Sequence, residues 1–272
     1  MGGLMDGKRG LVMGVANDHS IAWGIARVLA GQGADLAFTY QGEALGRRVE
    51  PLARSLGSEV VLPCDVEDLA SVEAVFAALD RRWDGIDFLV HAVAFSDKNE
   101  LKGRYADTTR QNFARTMLIS CFSFTEVAKL AGARMKAGGA MVTLTYGGAT
   151  RVMPNYNVMG VAKAALEASV RYLAGDFGPS GIRVNAISAG PVRTLAGAGI
   201  ADARFMYNYQ KANSPLRRTV TTEEIGGSAL YLLSDLSGGV TGEIHYVDSG
   251  YNVVSMPRPG APNAQGLSYS DA

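Results

Sequence analysis

The 272-residue chain has few of the residues that build disulfide frameworks or metal sites. Its two cysteines, Cys64 and Cys121, do not form a CxxC pair, and its three histidines, His19, His91 and His245, are scattered. We therefore predict no metal site. Reduced thiols are typical of the cytoplasm, so we expect a cytoplasmic protein.

Net charge and long apolar runs are also missing. The 26 basic residues balance 26 acidic ones, which gives no indication of general attraction to nucleic acid or to an anionic membrane. No apolar run reaches the roughly 18 residues of a membrane-spanning helix. The opening stretch, MGGLMDGKRG, lacks the apolar core of a signal peptide, which agrees with the expected cytoplasmic location.

What the sequence does contain is a regular alternation of strand-like and helix-like segments. The predicted strands are KRGLVMGVA, ADLAFTY, EVVLPCDV, IDFLVHAVA, AMVTLTY, IRVNAIS and GEIHYVD. Between them lie helical patterns, including a long one over about 107–136 and one that holds Tyr156 and Lys163 and ends near Phe177. This alternation predicts a single α/β domain of the Rossmann-like, doubly wound type, with a mostly parallel seven-stranded sheet and helices on both faces.

The first strand ends where such sheets bind ligands, beyond the carboxyl ends of the strands near the reversal of strand order. Its turn, GVANDHSIAWG, lacks the three close glycines of a GxGxxG motif. Gly14 still ends the strand, and Ser20 stands at the expected helix start, where backbone amides can bind a pyrophosphate. Ser20 acting only as an N-cap is the alternative.

The second strand is followed by Gln41 and Glu43, at a position where an acidic residue usually binds the adenosine ribose. No cation stands at this strand tip to bind a 2′-phosphate, although Arg47 and Arg48 lie one turn into the helix. We therefore expect NADH in preference to NADPH.

The third and fourth strands end in groups that suit the rest of a dinucleotide. Asp65 can accept a hydrogen bond from an adenine amino group, and the Val66 amide can donate one to the ring. Asp65 as a turn residue that caps the next helix is the alternative. Ala92 and Ala94 are small enough for a ribose to approach the backbone.

The stretch PNYNVMGVAKAALEA, residues 154–168, carries Tyr156 and, seven positions later, Lys163. Seven helical steps of about 100° return to the same face, about 10 Å along the axis. Many nicotinamide-dependent enzymes use a spacing of four, but that position here is Gly160. Pro154 and Asn155 suggest that Tyr156 lies at the helix entrance. The alternative is that Tyr156 is an aromatic residue at an interface and Lys163 a solvated cation. The location of the helix after the fifth strand of a nucleotide-binding pattern favours a pair of active-site residues.

The stretches TLTYGG, PNYNVMGVAKAALEASVRYLA, GIRVNAISAGPVRTLA and GVANDHSIAWG closely resemble the NADH-dependent enoyl-acyl-carrier-protein reductases of bacterial fatty acid synthesis. These form a branch of the short-chain dehydrogenase superfamily, and the resemblance covers about residues 5–256. It implies NADH as cofactor and the reduction of 2,3-trans-enoyl thioesters on acyl carrier protein, the last step of the elongation cycle. It also implies a homotetramer built largely through the long helices after strands four and five.

The resemblance also implies a set of site residues. The cofactor would contact Gly14, Ser20, Ile21, Gln41, Asp65, Val66, Val93, Ile119, Lys163, Val192, Arg193, Thr194, Leu195 and Ala196. The catalytic residues would be Tyr146, Tyr156 and Lys163, and the substrate would contact Ser96, Tyr146, Tyr156, Met159, Ile200 and Met206. Ser96 stands where the family pattern leads us to expect Ala.

The roles follow from the chemistry of hydride addition to an enoyl thioester, which develops an enolate oxygen. Tyr156 would donate a hydrogen bond to that oxygen, Lys163 would bind the nicotinamide ribose, and Tyr146 would orient the thioester. A carbonyl or 3-ketoacyl reductase of the same superfamily is one alternative, against which Gly160 argues. A non-catalytic dinucleotide sensor is the other, and it would not need the Tyr/Lys pair.

We assign residues 1–256 to the reductase domain and 257–272, rich in Pro, Gly, Ser and Asn, to a polar tail. Residues 190–218 are predicted to be irregular. Within them, about 193–213, the side chains Leu195, Ile200, Phe205 and Met206 suit an apolar substrate lid; packing on the sheet edge is the alternative. The basic residues Arg204, Lys211, Arg217 and Arg218 would suit a docking patch for the acidic carrier protein, or a solvated face.

Overall fold

The computed structural model describes residues 2–194 and 203–256, and its seven strands form one sheet. The strands are β1 (Arg9–Met13), β2 (Asp35–Tyr40), β3 (Val60–Pro63), β4 (Phe88–His91), β5 (Gly139–Thr145), β6 (Ile182–Ala189) and β7 (Ile244–Val247). Their order is β3-β2-β1-β4-β5-β6-β7, and every neighbouring pair is parallel. The predicted doubly wound, seven-stranded fold is confirmed.

Helices cover both faces of this sheet, which is why its central strands are short apolar runs rather than alternating ones. The helices are α1 (Ile21–Gly31), α2 (Gly42–Ser55), α3 (Leu69–Arg82), α4 (Arg110–Met117), α5 (Ser123–Gly132), α6 (Asn157–Phe177), α7 (Ala203–Asn213) and α8 (Thr222–Leu233). One apolar core joins the sheet to α3, α5 and α6, and the other joins it to α1, α2 and α8. Among the described residues, no helix combines the length and the apolar character that crossing a bilayer requires.

Two expectations about the helices are corrected. The long helix predicted over 107–136 begins at Arg110, ends at Gly132, and is interrupted by a π-helical turn over Leu118–Phe122. Residues 190–218 are not irregular throughout, because α7 occupies 203–213. The aromatic rings of Phe205 and Tyr209, four positions apart on α7, lie with centroids 5.9 Å apart, a spacing that could have indicated this helix. The tail 257–272 lies outside the described residues, as do 195–202.

Candidate active site

A cavity of about 710 Å³ opens at the carboxyl ends of the central strands, where the strand order reverses between β1 and β4. We call it the main cavity. Among its lining residues are many of those expected at the site: Gly14, Ser20, Ile21, Val93, Tyr146, Tyr156, Lys163, Val192, Arg193, Thr194 and Met206. Three other expected contacts, Leu195, Ala196 and Ile200, lie outside the described residues.

The turn after β1 is held close to the end of β4. Gly14 has a φ of 99°, and a Cβ atom there would lie 2.1 Å from the carbonyl oxygen of Ala92. Only glycine fits such an approach, and it brings the first turn of α1 to the cavity wall. The Ser20 hydroxyl organises the same turn: it accepts hydrogen bonds from the amides of Ala16 (3.0 Å) and Asn17 (3.1 Å). Ser20 is thus the N-cap residue of α1, but its side chain serves the preceding loop.

The tips of β2 and β3 are joined by a side-chain hydrogen bond, in which Gln41 Nε2 donates to Asp65 Oδ2 over 3.1 Å. Asp65 also accepts a hydrogen bond from the amide of Glu67 at 3.0 Å, so it is a turn residue as well, but the N-cap of α3 is Asp68 and not Asp65. Arg47 is engaged with Glu43 at 3.3 Å, on the solvent-exposed side of α2. This end therefore presents amide and carboxylate groups, and one of its two nearby guanidinium groups is already paired.

Two further expected cofactor contacts, Val66 and Ile119, are buried in the core that joins the sheet to α3, α5 and α6. They do not line the main cavity as the described residues form it. Ile119 lies in the π turn, and its carbonyl accepts a hydrogen bond from Ser123 at 2.7 Å. That turn is tied to the sheet through fully buried His91, whose Nε2 lies 3.0 Å from Ser123 Oγ.

His91 ends β4 and was considered from the sequence only as a metal ligand. Its Nδ1 lies 3.3 Å from Thr143 Oγ1 on β5. The His91 pKa is lowered to about 3, mainly by burial and to a smaller extent by the charge of Lys163. The ring is therefore neutral at working pH and acts as a hydrogen-bonding bridge between strands and helix.

Tyr156 stands immediately before α6, as its N-cap residue. The prediction that Tyr156 lies at the helix entrance is confirmed, and of the pair only Lys163 lies inside the helix. The residues on either side, Asn155 and Asn157, have φ of 56° and 35°, so the chain turns sharply around the tyrosine. The Tyr156 ring is 7% exposed and packs edge-on against Tyr146, with centroids 5.2 Å apart and planes at 72°.

Two glycines allow this arrangement. A Cβ atom on Gly148 would lie 2.4 Å from the Tyr156 ring. A Cβ atom on Gly160 would lie 2.8 Å from the carbonyl oxygen of Gly148. The turn after β5 therefore passes directly over the first turn of α6. Gly160 occupies the position of the missing lysine because the backbone of the neighbouring turn leaves no room for a side chain.

Lys163 is 6% exposed, and its Nζ donates to the Leu144 carbonyl oxygen at 2.8 Å. Burial lowers the Lys163 pKa to about 8. The interpretation of Lys163 as a solvated cation is therefore wrong. One turn further along α6, Glu167 accepts a hydrogen bond from Thr145 at 2.7 Å, and burial raises the pKa of this carboxyl group. Neither Thr145 nor Glu167 was among the residues predicted for the site.

The expected substrate contacts separate into two groups. Met206 lines the main cavity, together with Tyr207, which the sequence did not single out and over which Arg193 stacks at 4.8 Å. Ser96 and Met159 are not among the residues that line the main cavity as the described part of the chain forms it. Ser96 accepts hydrogen bonds from Thr116 (2.9 Å) and from the side-chain amide of Asn112, and Met159 packs with Tyr156 in a small apolar cluster.

Comparison with known proteins gives a consistent set of relatives. A family model described as enoyl-(acyl carrier protein) reductase matches residues 14–252. The NADH-dependent enoyl-acyl-carrier-protein reductase 2 of Rhizobium meliloti (strain 1021) is 75% identical over 257 residues, covering 94% of this chain and 96% of that protein.

Solved structures agree with the sequence relatives. The crystal structure of FabI from Candidatus Liberibacter asiaticus matches with a TM-score of 0.93 and 61% identity, over 95% of this chain and 100% of that one. The enoyl-(acyl-carrier-protein) reductase of Anaplasma phagocytophilum, crystallised with NAD, matches with a TM-score of 0.92 and 58% identity, over 95% of this chain and 98% of that one.

Proposed function

This chain belongs to the enoyl-acyl-carrier-protein reductase family, and from that premise we propose how its own residues carry out the reaction. It is an NADH-dependent enoyl-acyl-carrier-protein reductase of fatty acid synthesis, which saturates a carbon–carbon double bond of the acyl thioester. When bound, NADH supplies the hydride.

The main cavity suits a dinucleotide. Its volume of about 710 Å³ lies within the range of about 300–1,000 Å³ typical of ligand sites. Gly14 leaves the backbone bare at the first turn, and the start of α1 faces the cavity, which favours a pyrophosphate there. Gln41 and Asp65 would contact the adenosine portion, and Lys163 the nicotinamide ribose.

Tyr156 donates a hydrogen bond to the thioester oxygen as that oxygen gains negative charge. The Tyr156 pKa is raised above its usual value, mainly by burial and to a smaller extent by the neighbouring Tyr146. The phenol therefore keeps its proton until an acceptor of increased basicity is present. A donor aimed at developing charge stabilises the transition state more than the ground state. The single observation that carries this role is the buried Tyr156 ring at the wall of the main cavity that Lys163 also lines.

The reaction class is tested by following NADH oxidation with three additions: crotonyl thioester, a 3-ketoacyl thioester, and neither. We expect rapid oxidation with the enoyl substrate and background rates in the other two. Faster oxidation with the 3-ketoacyl thioester would favour a carbonyl reductase, and binding of NADH without turnover of either substrate would favour a dinucleotide sensor.

Fewer than the four basic residues considered are available to dock acyl carrier protein. Arg218 forms a bidentate pair with Glu224 at 2.6 and 2.8 Å, and Arg217 donates to backbone carbonyl oxygens near the end of α7. Arg204 lines the main cavity, and Lys211 is exposed on the same helix. We therefore assign the docking charge to Arg204 and Lys211, and an intramolecular role to the other two.

The variant Lys211→Glu tests this docking surface. It should raise KM for an enoyl-acyl-carrier-protein about 2- to 5-fold and leave KM for crotonyl-CoA less affected, since complementary charge mainly steers encounter. The difference should shrink with added salt, because exposed charges are screened beyond about 10 Å at 0.1 M. The matched control is Arg82→Glu, which reverses the charge of an exposed residue at the C-terminal end of α3. Equal changes for both substrates would remove the docking surface.

Assembly as a homotetramer is supported by apolar side chains on the outer faces of the long helices. Phe122 is 49% and Tyr172 79% exposed in the single chain. Such side chains on the π turn and on α6 fit a protein–protein contact. Native mass spectrometry should give four copies, whereas a monomer at micromolar concentration would overturn this assembly. A cytoplasmic location is supported by Cys64 and Cys121, both free and buried.

A further inference from the structure

Tyr146 has a partner on α7 that the reaction scheme above does not use. Gln210 is 5% exposed, and its side-chain Nε2 donates a hydrogen bond to the Tyr146 hydroxyl oxygen over 2.8 Å. The same helix contributes Arg204, Met206 and Tyr207 to the main cavity. The hydrogen bond therefore joins the helix that lines the substrate side of the cavity to one of its two tyrosines.

The direction of this hydrogen bond determines what Tyr146 can do. An amide nitrogen donates and does not accept, so the phenol oxygen is the acceptor and its own proton stays available for another partner. Tyr146 lines the main cavity on one side and a second cavity of about 100 Å³ on the other, where Gln210 also lies. Asp248 and Tyr251 also line this second cavity, but the Asp248 carboxylate already accepts hydrogen bonds from the amides of Gly250 and Asn252 and from the Asn252 side chain. This leaves the main cavity, where the proposed function places the thioester, as the side on which the Tyr146 proton finds an acceptor.

We propose that Gln210 is a positioning residue for enoyl reduction: it holds Tyr146 so that the phenol proton points into the main cavity and the ring supports Tyr156. The edge-on contact between the two rings, at 5.2 Å, carries this constraint to Tyr156. The inference rests on the proposed function, because it assumes that the two tyrosines act on the substrate.

Burial raises the pKa of Tyr146 to about 12, while the bond from Gln210 acts in the opposite direction. An amide that donates to a phenol oxygen stabilises the phenolate relative to the phenol, and so strengthens the phenol as a donor. Loss of Gln210 should therefore weaken Tyr146 both in orientation and in hydrogen-bonding strength.

The test is a double-mutant cycle on kcat with crotonyl thioester at saturating NADH. Gln210→Leu should lower kcat about 3- to 10-fold, the range expected for one net hydrogen bond. In the Tyr146→Phe background, which lacks the acceptor, the same change should cost less than about 2-fold. Asn208→Leu, an exposed amide on the same helix, is the matched control for placing leucine on α7.

Gln210→Glu adds a readout that a purely structural role would not move. A carboxylate can only accept, so the phenol would turn its proton away from the cavity. The ratio of variant kcat to native kcat should therefore be lower at pH 8 than at pH 6, where protonation of the new carboxyl begins to restore a donor; taking the ratio removes the pH dependence that Lys163 gives both enzymes. Equal losses from Gln210→Leu in both backgrounds would overturn the proposal and assign Gln210 to the packing of α7. Failure of the proposed function is seen separately, as normal turnover by Tyr156→Phe.

Discussion

The nucleotide end and the chemical end of the main cavity hold their functional groups in different ways. At the nucleotide end, Gly14, Gln41 and Asp65 stand at successive strand tips, and the side chains of Gln41 and Asp65, neither of them buried, bond to each other across two adjacent strands. At the chemical end, Tyr146, Tyr156 and Lys163 are held by groups from β5, α6 and α7. The first end is built by the order of strands, the second by interlocked tertiary contacts. Substitutions at the chemical end should therefore have the larger and less local effects.

The largest such effect is expected for Lys163→Met, which keeps an apolar stem of similar length and removes the ammonium group. NADH Kd, measured by fluorescence, should rise about 10- to 100-fold, because hydrogen bonds from a charged donor contribute about 1.5–3 kcal/mol. Stability measured by thermal unfolding separates this from misfolding. An NADH Kd within about 2-fold of the native value, in a folded protein, would remove Lys163 from the ribose site.

Gly160→Lys would create the four-residue spacing found in other nicotinamide enzymes, and it should not restore or improve activity. Any side chain at this position meets the Gly148 carbonyl oxygen, so we expect a destabilisation of about 1–3 kcal/mol, the range for overpacking. Gly175→Lys, at a helical glycine whose added Cβ meets nothing within 4 Å, controls for placing lysine on α6. A Gly160→Lys protein as stable as this control would contradict the close contact.

The contacts at the chemical end show what the sequence can and cannot predict. The seven strands, the doubly wound fold class and the groups at the strand tips were predicted, because apolar runs and turn residues are local patterns; the order of the strands in the sheet was not predicted. The Tyr156–Lys163 pair was identified by its motif, but its geometry was not. The contact of Gly160 with the turn after β5 is non-local, as are the bonds of Lys163 to Leu144 and of Gln210 to Tyr146, so spacing along the chain carries no signal of them.

A pH profile gives a smaller effect at the chemical end. The Lys163 pKa is lowered to about 8, so the ammonium form dominates below that pH and is lost as pH rises through it. If the charge is needed, kcat/KM should be level below about pH 8 and fall above it, by roughly tenfold per pH unit at the limit. Lys163→Met should abolish this inflection. A native profile that stays level to pH 9.5 would show that the charge of Lys163 is not required.

The smallest effect is expected at the nucleotide end. Native enzyme should show a higher kcat/KM with NADH than with NADPH, because Gln41 and Asp65 occupy the strand tips and Arg47 is paired with Glu43. Glu43→Gln releases Arg47, and should raise the NADPH-to-NADH ratio of kcat/KM by only about 2- to 3-fold, since exposed pairs contribute less than about 1 kcal/mol. Equal native use of both cofactors would mean that Arg47 or Arg48 reaches the 2′-phosphate.

The assignment of Tyr156 as the donor is tested most directly by single-turnover reduction of crotonyl thioester by Tyr156→Phe and Tyr146→Phe, each saturated with NADH. Single turnover reports the chemical step itself. We predict a fall of about 10- to 1000-fold for Tyr156→Phe with NADH Kd unchanged, and a smaller fall for Tyr146→Phe. A native single-turnover rate in Tyr156→Phe would transfer the donor role to Tyr146 or to water and contradict the account.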